Sequence, residues 1–376
     1  MSTTAVYAAS FDPITVGHMS VIEQISKMFD KVIVLIATNS AKADNYMFSA
    51  EERRAMVNES TAHLSHVTAD ILRSGYTIHY AERIGATALI RGLRNEADFA
   101  EEKQIFTFNN HANPTIPTIF IMSAPDIAHI SSNYVKNNCY DIPGWLDIIE
   151  KYVPAPVITF LAQQKIKSMC RQVGINDAHT EKIIKRQSSR AYHNIFHIIH
   201  MMEELSDFVS HGGNSEVSEH GRFYMNHYTL AALYHDIHIE SDYLESLKSM
   251  AGERAQLMSI ARIPRDIRDT MNLQMVERLI SFTACSSGTP TPTEGWEKAF
   301  VDADFSILGQ TPAVYDKYAT GIRAEYVRST DEDYRKGRTA FLQGLLDMDN
   351  IFSTSYFRDK YESRARQNIQ NEIDKL

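Results

Sequence analysis

Two groups of residues carry chemistry by their types and spacing. The first is the run Ser10-Phe11-Asp12-Pro13, continuing through Thr15-Val16-Gly17-His18, where a β-rich stretch gives way to a helical pattern. Backbone N–H groups and the positive dipole end at a helix start form a site for an anion such as phosphate. Gly17 permits close backbone approach, and His18 in the first turn can donate to a phosphoryl oxygen as charge grows on it. The second group begins at Tyr192-His193-Asn194-Ile195-Phe196-His197, where helical spacing puts His193 and His197 at i and i+4 on one face. His235-Asp236 follows inside the apolar run LAALYHDI, which reads as helix, and Asp302 and Asp304 lie in AFVDADFSIL. Histidines and carboxylates from three helices suit a divalent metal in a bundle core. A lone buried Asp beside a His is costly unless a cation compensates the charge. Nine of the fifteen histidines fall after residue 164, which concentrates acid–base and ligand capacity there. His238, Glu240 and Asp242 read either as ligands of a second ion or as a solvated face.

The elements that must position these groups differ between the two parts of the chain. Over the first ~160 residues, short apolar runs at Ala5–Ala9, Lys31–Ala37, Thr87–Arg91 and Thr118–Met122 read as parallel strands buried on both faces. Between the first two, Val16, Met19, Ile22, Ile25 and Phe29 form a helical stripe, and Ser49 with Glu52 reads as a capping box opening another helix. This order predicts a doubly wound α/β parallel sheet of Rossmann-like type, with ligands beyond the C-terminal strand ends. After YVPAP at Tyr152–Pro156, strand signals nearly vanish. Helices are expected over about 181–209, 223–251, 253–262, 265–285, 294–307 and 331–348, with a loop at Ser286–Thr293. The expected division is therefore an α/β domain over 1–164 and an all-α domain over 165–376.

Composition narrows the functional classes. The 376 residues suit two domains, and 44% hydrophobic with 23% charged residues describes a globular protein. A net charge of −9 argues against a broad nucleic-acid surface but leaves room for a local basic pocket. No apolar run approaches the ~20 residues of a membrane span, and no signal-peptide pattern opens the chain, so a cytoplasmic protein is expected. Cys139, Cys170 and Cys285 are too scattered for a disulfide framework or a thiolate metal site and read as buried thiols.

Over residues 4–163, the blocks FDPITVGH, MFDKVIV, EERRAMV, ALIRGLRNEADF, HISSNYVK and YVPAPV closely resemble the phosphopantetheine adenylyltransferase family, within the nucleotidyltransferases that carry a T/HxGH motif. The resemblance implies ATP and 4'-phosphopantetheine as substrates and Mg2+ as the accompanying cation. It implies that His18 stabilises the α-phosphate in the transition state, with Lys42 and Arg94 also catalytic. Ser10, Phe11, Lys42, Thr77 and Arg91 would bind the acceptor. ATP would meet Ser10, Phe11, His18, Gly92, Leu93, Arg94, Glu102, Ile127, His129, Ile130, Ser131, Ser132 and Asn133. The chain departs from the family at Ala8-Ala9, where Pro-Gly is usual, at Ser10, usually Thr, at Glu101, where an aromatic is frequent, and at Asn133, usually Ser. Two alternatives follow: another phosphate acceptor, such as nicotinamide mononucleotide, or an inactive nucleotide sensor. Relatives of this kind are typically oligomeric, which implies a homo-oligomer.

Residues 165–376, with YHNIFH, HD, VDADFSILG, YATGIRAEYV and YRKGR, resemble the HD superfamily of metal-dependent phosphohydrolases. This resemblance implies a metal held by His197, His235, Asp236 and Asp304, with Asp302 as alternative fourth ligand and His193 as proton donor. Mn, Fe, Ni or Zn would fit. The substrate would be a second phosphorylated small molecule, and Arg323, Tyr326 and Arg338 serve either its phosphate or helix-surface pairing. The expectation is a bifunctional enzyme, or, on the sensor alternative, a nucleotide-sensing domain regulating the hydrolase.

Overall fold

The computed structural model describes residues 2–38, 45–94, 96–142, 144–212, 221–237, 262–283 and 291–376. Lys42, Cys285, the group His238, Glu240 and Asp242, the expected helix over 253–262 apart from its last residue, and most of the expected loop at Ser286–Thr293 lie outside the described residues. The chain divides into two compact units, Met1–Leu161 and Ala162–Leu376.

In the first unit, β1 (Thr4–Ala9), β2 (Lys31–Ile36), β3 (Val67–Ile71), β4 (Ala88–Leu93) and β5 (Thr118–Met122) form one sheet in the order β3-β2-β1-β4-β5. All neighbours run parallel, with Tyr7 opposite Val34 on one side and Ile90 on the other. Val32, Val34, Leu35 and Ile36 have no exposed surface, as a strand covered on both faces requires. Each such side chain contributes about 1.5–3 kcal/mol of burial free energy. Intervening helices are α1 (Val16–Ser26), α2 (Ala50–Ser60), α3 (Thr77–Arg83) and α4 (Glu96–Ala112). Ser49 and Glu52 do form the capping box of α2: Ser49 Oγ accepts from Glu52 N at 3.1 Å, and Ser49 N donates to the Glu52 carboxylate at 2.8 Å. Three shorter stretches follow: α5 (Ser132–Asn138), α6 (Trp145–Ile149) and the start of α7 (Ala155–Gln172). Strand order reverses between β1 and β4, and the crevice beyond their C-terminal ends is where such a sheet binds ligands.

Strand β3 was not anticipated by the sequence analysis. Its run VTADI buries only Val67 and Ile71, because it forms the sheet edge.

The described residues of the second unit are helical. They comprise α8 (Asp177–Gln187), α9 (Ile195–Asp207), α10 (Gly221–Tyr234), α11 (Arg265–Thr270), α12 (Leu273–Phe282), α13 (Gly295–Phe305), α14 (Pro312–Glu325), α15 (Asp331–Leu346) and α16 (Ser355–Ile373). Helices α10 and α13 pack on α9, and α16 packs on the turn Ser306–Gly309 after α13. Several boundaries depart from the sequence expectation. The stretch 181–209 is two helices: α8 ends at Gln187, and Asn194 starts the second, its side chain accepting from Phe196 N at 2.9 Å as the N-cap of α9. His193 therefore sits in the turn before the helix, not on its face. His235 and Asp236 likewise follow the end of α10 in a turn. The stretch 265–285 breaks at Met271–Asn272, and α14 and α16 were not foreseen. Among the described residues, no helix is long and apolar enough to cross a membrane. Cys139 and Cys170 are buried free thiols.

Candidate functional sites

The first site is a cavity of about 280 Å³ at the β1–β4 switch point. The chain leaves β1 through Ser10 and turns sharply at Phe11, whose φ of 49° lies in the left-handed region that non-glycine residues rarely occupy. Its ring is fully buried, edge-on to Tyr7 at 5.4 Å and against the His18 ring at 5.0 Å. The turn delivers Thr15, the N-cap of α1, and places His18 at the third helical position. Gly17 allows close packing here: a Cβ would stand 3.3 Å from the Ile130 carbonyl oxygen, which would have to give way by a few tenths of an ångström.

The tautomer of His18 is set by the backbone. Thr15 N–H donates to His18 Nδ1 at 3.1 Å, so the ring proton resides on Nε2. Burial, reinforced by the Arg94 charge, pulls the imidazole down to about 4. His18 is therefore a neutral donor at physiological pH. The free protein should show His18 titrating near pH 4 in imidazole NMR spectra, protonating only as pH falls through that value. A midpoint near 6.5 would contradict this assignment.

Two arginines, each paired with a carboxylate that also lines the cavity, complete the wall. Arg91, near the end of β4, donates to the Ala8 carbonyl at 2.7 Å and makes a bidentate pair with Glu102 on α4. Arg94 pairs bidentately with Asp98 at 2.8 and 2.9 Å. Such forks fix the guanidinium planes, the geometry that suits phosphate oxygens. The cavity is lined by Ser10, His18, Arg91, Gly92, Arg94, Glu102, Ile130, Ser131, Ser132 and Asn133 from the expected set. Phe11, Thr77, Leu93, Ile127 and His129 do not line it. Leu93 is buried, Thr77 opens α3, and the His129 ring packs edge-on to Tyr134 and Tyr152. Tyr7, Ala8, Ala9, Thr15, Gly17, Asp98 and Ser123 also line the cavity, beyond the residues singled out for ligand contact. Asp98 had a local signal, its i,i+4 spacing from Arg94; Ser123, just past β5, had none.

The second site lies where the start of α9, the turn after α10 and the end of α13 meet. His197 Nε2 stands 3.3 Å from His235 Nε2 and 3.1 Å from Asp304 Oδ1. Asp236 Oδ2 is 3.1 Å from His235 Nε2 and 4.0 Å from His197 Nε2, and Asp304 Oδ1 is 4.0 Å from His235 Nε2. One donor atom each from His197, His235 and Asp236 fall within 4.8 Å of one another. Ligands about 2.1 Å from a tetrahedral cation are themselves about 3.4 Å apart, so the spacing fits such an ion. The donor chemistry fits as well. His235 Nδ1 faces the Ala232 carbonyl at 2.9 Å, and His197 Nδ1 faces the Tyr192 hydroxyl at 3.1 Å. With both Nδ1 atoms protonated, the two Nε2 atoms face one point, where a cation would take the place of the proton that His235 otherwise holds on Nε2. Burial pulls the His197 imidazole down. At His235 burial acts the same way, but the Asp236 and Asp304 carboxylates overcome it and push the ring up to about 9.

Asp302, the alternative ligand, points elsewhere. It accepts from Ser353 N, Thr354 N and Thr354 Oγ1, each at 2.8 Å, and holds the segment preceding α16. Arg323 pairs with Asp331, and Arg338 forks onto Glu372, so both are engaged in helix pairing. His193 is half-buried beside the quartet, its Nε2 4.0 Å from Asp236 Oδ2. Its Nδ1 bonds Glu325 at 2.6 Å, and the same carboxylate accepts from Tyr192 N and His193 N at 2.7 and 2.9 Å. Burial alone would raise Glu325, but these bonds hold it down at about 2. Glu325 lies 132 residues from His193 and carried no local sequence signal.

The chain matches the cytidylyltransferase-like family model over residues 6–138. It is similar to a phosphopantetheine adenylyltransferase of Lacticaseibacillus casei (strain BL23), 38% identical over 153 residues, covering 41% of this chain and 88% of that protein. One from Synechococcus sp. is 41% identical over 160 residues, covering 43% and 96%. One from Herpetosiphon aurantiacus is 38% identical over 161 residues, covering 43% and 93%.

Proposed function

The chain belongs, through its N-terminal part, to the phosphopantetheine adenylyltransferase family, and from that premise we propose that its first unit joins ATP and 4'-phosphopantetheine into dephospho-coenzyme A and pyrophosphate. One observation carries the reading: a neutral His18 with its proton on Nε2, at the mouth of α1, in a cavity shared with Arg91 and Arg94. A phosphate oxygen of the acceptor attacks the α-phosphorus of ATP, and the bond from that phosphorus to the bridging oxygen breaks as pyrophosphate leaves. No protein nucleophile is needed, because positioning and charge stabilisation suffice. His18 donates to an α-phosphoryl oxygen as its charge grows, while Arg91 and Arg94 hold phosphates and Ser10, at the cavity wall, meets the nucleotide. With Glu102 and Asp98 already bound to the two arginines, Mg2+ would be held by the ATP phosphates and would neutralise part of their charge. Pyrophosphate release from ATP, measured with phosphopantetheine, with nicotinamide mononucleotide and with no acceptor, tests the assignment. Release with phosphopantetheine alone supports it. Release with the mononucleotide reassigns the acceptor, and ATP binding without turnover makes the unit a sensor.

The reading includes a homo-oligomer in the cytoplasm. Half-exposed Phe99, Ile105, Phe106 and Phe108 on α4, with Met122 on the edge strand β5, give the first unit an apolar surface that self-association would cover.

A second activity is proposed on a separate observation, the converging donors of His197, His235 and Asp236, with Asp304 Oδ1 3.1 Å from His197 Nε2. We read the second unit as a metal-dependent hydrolase of a phosphorylated small molecule, with Mn, Fe, Ni or Zn as the ion. A bound cation there supplies Lewis acidity toward a phosphoryl oxygen and a water molecule. His193, oriented by Glu325, delivers a proton from Nε2 to the leaving group. Glu325 is a positioning residue, so Glu325→Gln should lower kcat for phosphate-ester hydrolysis by roughly 10²-fold, the low end of what a positioned acid contributes. Metal affinity should fall far less, because the amide oxygen of the variant can still accept from Tyr192 N and His193 N and hold the loop. A variant that loses metal instead assigns Glu325 to the integrity of the ion site.

A further inference from the structure

Resting on the metal-site reading, we propose that Tyr192 is a positioning residue for the ion, aligned by one face of helix α14 that also aligns the proton donor. The observations are geometric. The Tyr192 hydroxyl stands 3.1 Å from His197 Nδ1. A His197 that offers its Nε2 lone pair to a cation must carry its proton on Nδ1, and Tyr192 Oη accepts that proton's bond. Burial keeps the phenol protonated and uncharged. The backbone of the same residue is tied to Glu325, which also grips His193. One residue thus links the ligand-bearing and the proton-donating halves of the site.

Helix α14 makes this link rigid. Tyr318, Gly321 and Glu325 lie at i, i+3 and i+7 on one face, and all three meet the segment Ala191–His193. The Tyr318 ring packs edge-on to the Tyr192 ring at 4.7 Å, and its hydroxyl accepts from Arg338 at 3.2 Å. Gly321 leaves room for the loop: a Cβ there would stand 3.1 Å from Tyr192 Cβ and 3.4 Å from the Ala191 carbonyl oxygen. The segment YATGIRAE is therefore a cradle whose glycine allows approach and whose glutamate locks it.

The test is calorimetric titration of metal-stripped full-length protein with Mn2+, Ni2+ and Zn2+. Tyr192→Phe should raise the dissociation constant at least ~10-fold, the smaller effect expected on losing an outer-shell partner of a ligating histidine. The midpoint of thermal unfolding without metal should stay unchanged. Gly321→Ala, which keeps the hydroxyl but pushes the loop, should also weaken binding, and it decides the matter if Tyr192→Phe fails to fold. Metal affinity within twofold of wild type in the folded variants overturns the role of Tyr192 while leaving the metal site intact. A wild-type chain that binds none of the three ions overturns the metal reading itself.

Discussion

His18→Ala should reduce adenylyl transfer by about 10²–10³-fold in kcat, the usual effect of removing one preorganised donor to a developing phosphoryl or acyl charge. The expected loss follows from how fully the structure commits this side chain. Its Nδ1 is occupied by Thr15 N–H, its ring is packed against Phe11, and burial keeps it neutral. An alanine leaves the α1 mouth and both arginines in place, so ATP binding should persist while turnover falls. The phosphohydrolase activity proposed for the second unit should be untouched. A His18→Ala enzyme that releases pyrophosphate at the wild-type rate would remove the imidazole from the reaction.

Asp236→Ala should do the reverse. It removes one of the carboxylates that balance the cation and leaves the imidazoles of His197 and His235 facing each other at 3.3 Å. Loss of a ligand should exceed the roughly 100-fold upper bound for an outer-shell residue, both in metal affinity and in hydrolysis of phosphate esters. Adenylyl transfer should continue. Both activities measured on each of the two variants therefore form a crossed pair. Loss of both activities in either variant would refute two independent sites.

Much of the first site was legible because its signals are local. Strand β1, the FDPITVGH turn and the opening of α1 are contiguous, and a buried parallel strand reads as an unbroken apolar run, as β2 does. The edge strand β3 hid because only two of its five residues are buried. Phe11 shows where residue type misleads: a motif position expected at the ligand turns its ring into the core and does not line the cavity.

The second site was legible as a set of ligand types but not as a geometry. Periodicity placed His193 and His197 on one helix. The Asn194 cap overrides that pattern and moves His193 into a turn, where Glu325 can reach it. Between the two candidate aspartates, Asp304 joins the histidines because the rotation of α13 sends Asp302 toward Ser353 and Thr354. Helix α14 escaped notice because its buried positions are Tyr315, Tyr318, Ile322 and Glu325, a stripe of tyrosines and a carboxylate in place of aliphatic residues. Tertiary contacts 132 residues apart have no signal in a single chain.

The most direct test of the central claim is to follow full-length protein, ATP and 4'-phosphopantetheine by phosphorus NMR, with His18→Ala as control. The account predicts that pyrophosphate and a new diphosphate diester appear in equal amounts with wild type, and that the control is slower by two orders of magnitude or more. No diester from wild-type protein, or an equal rate in the control, would contradict it.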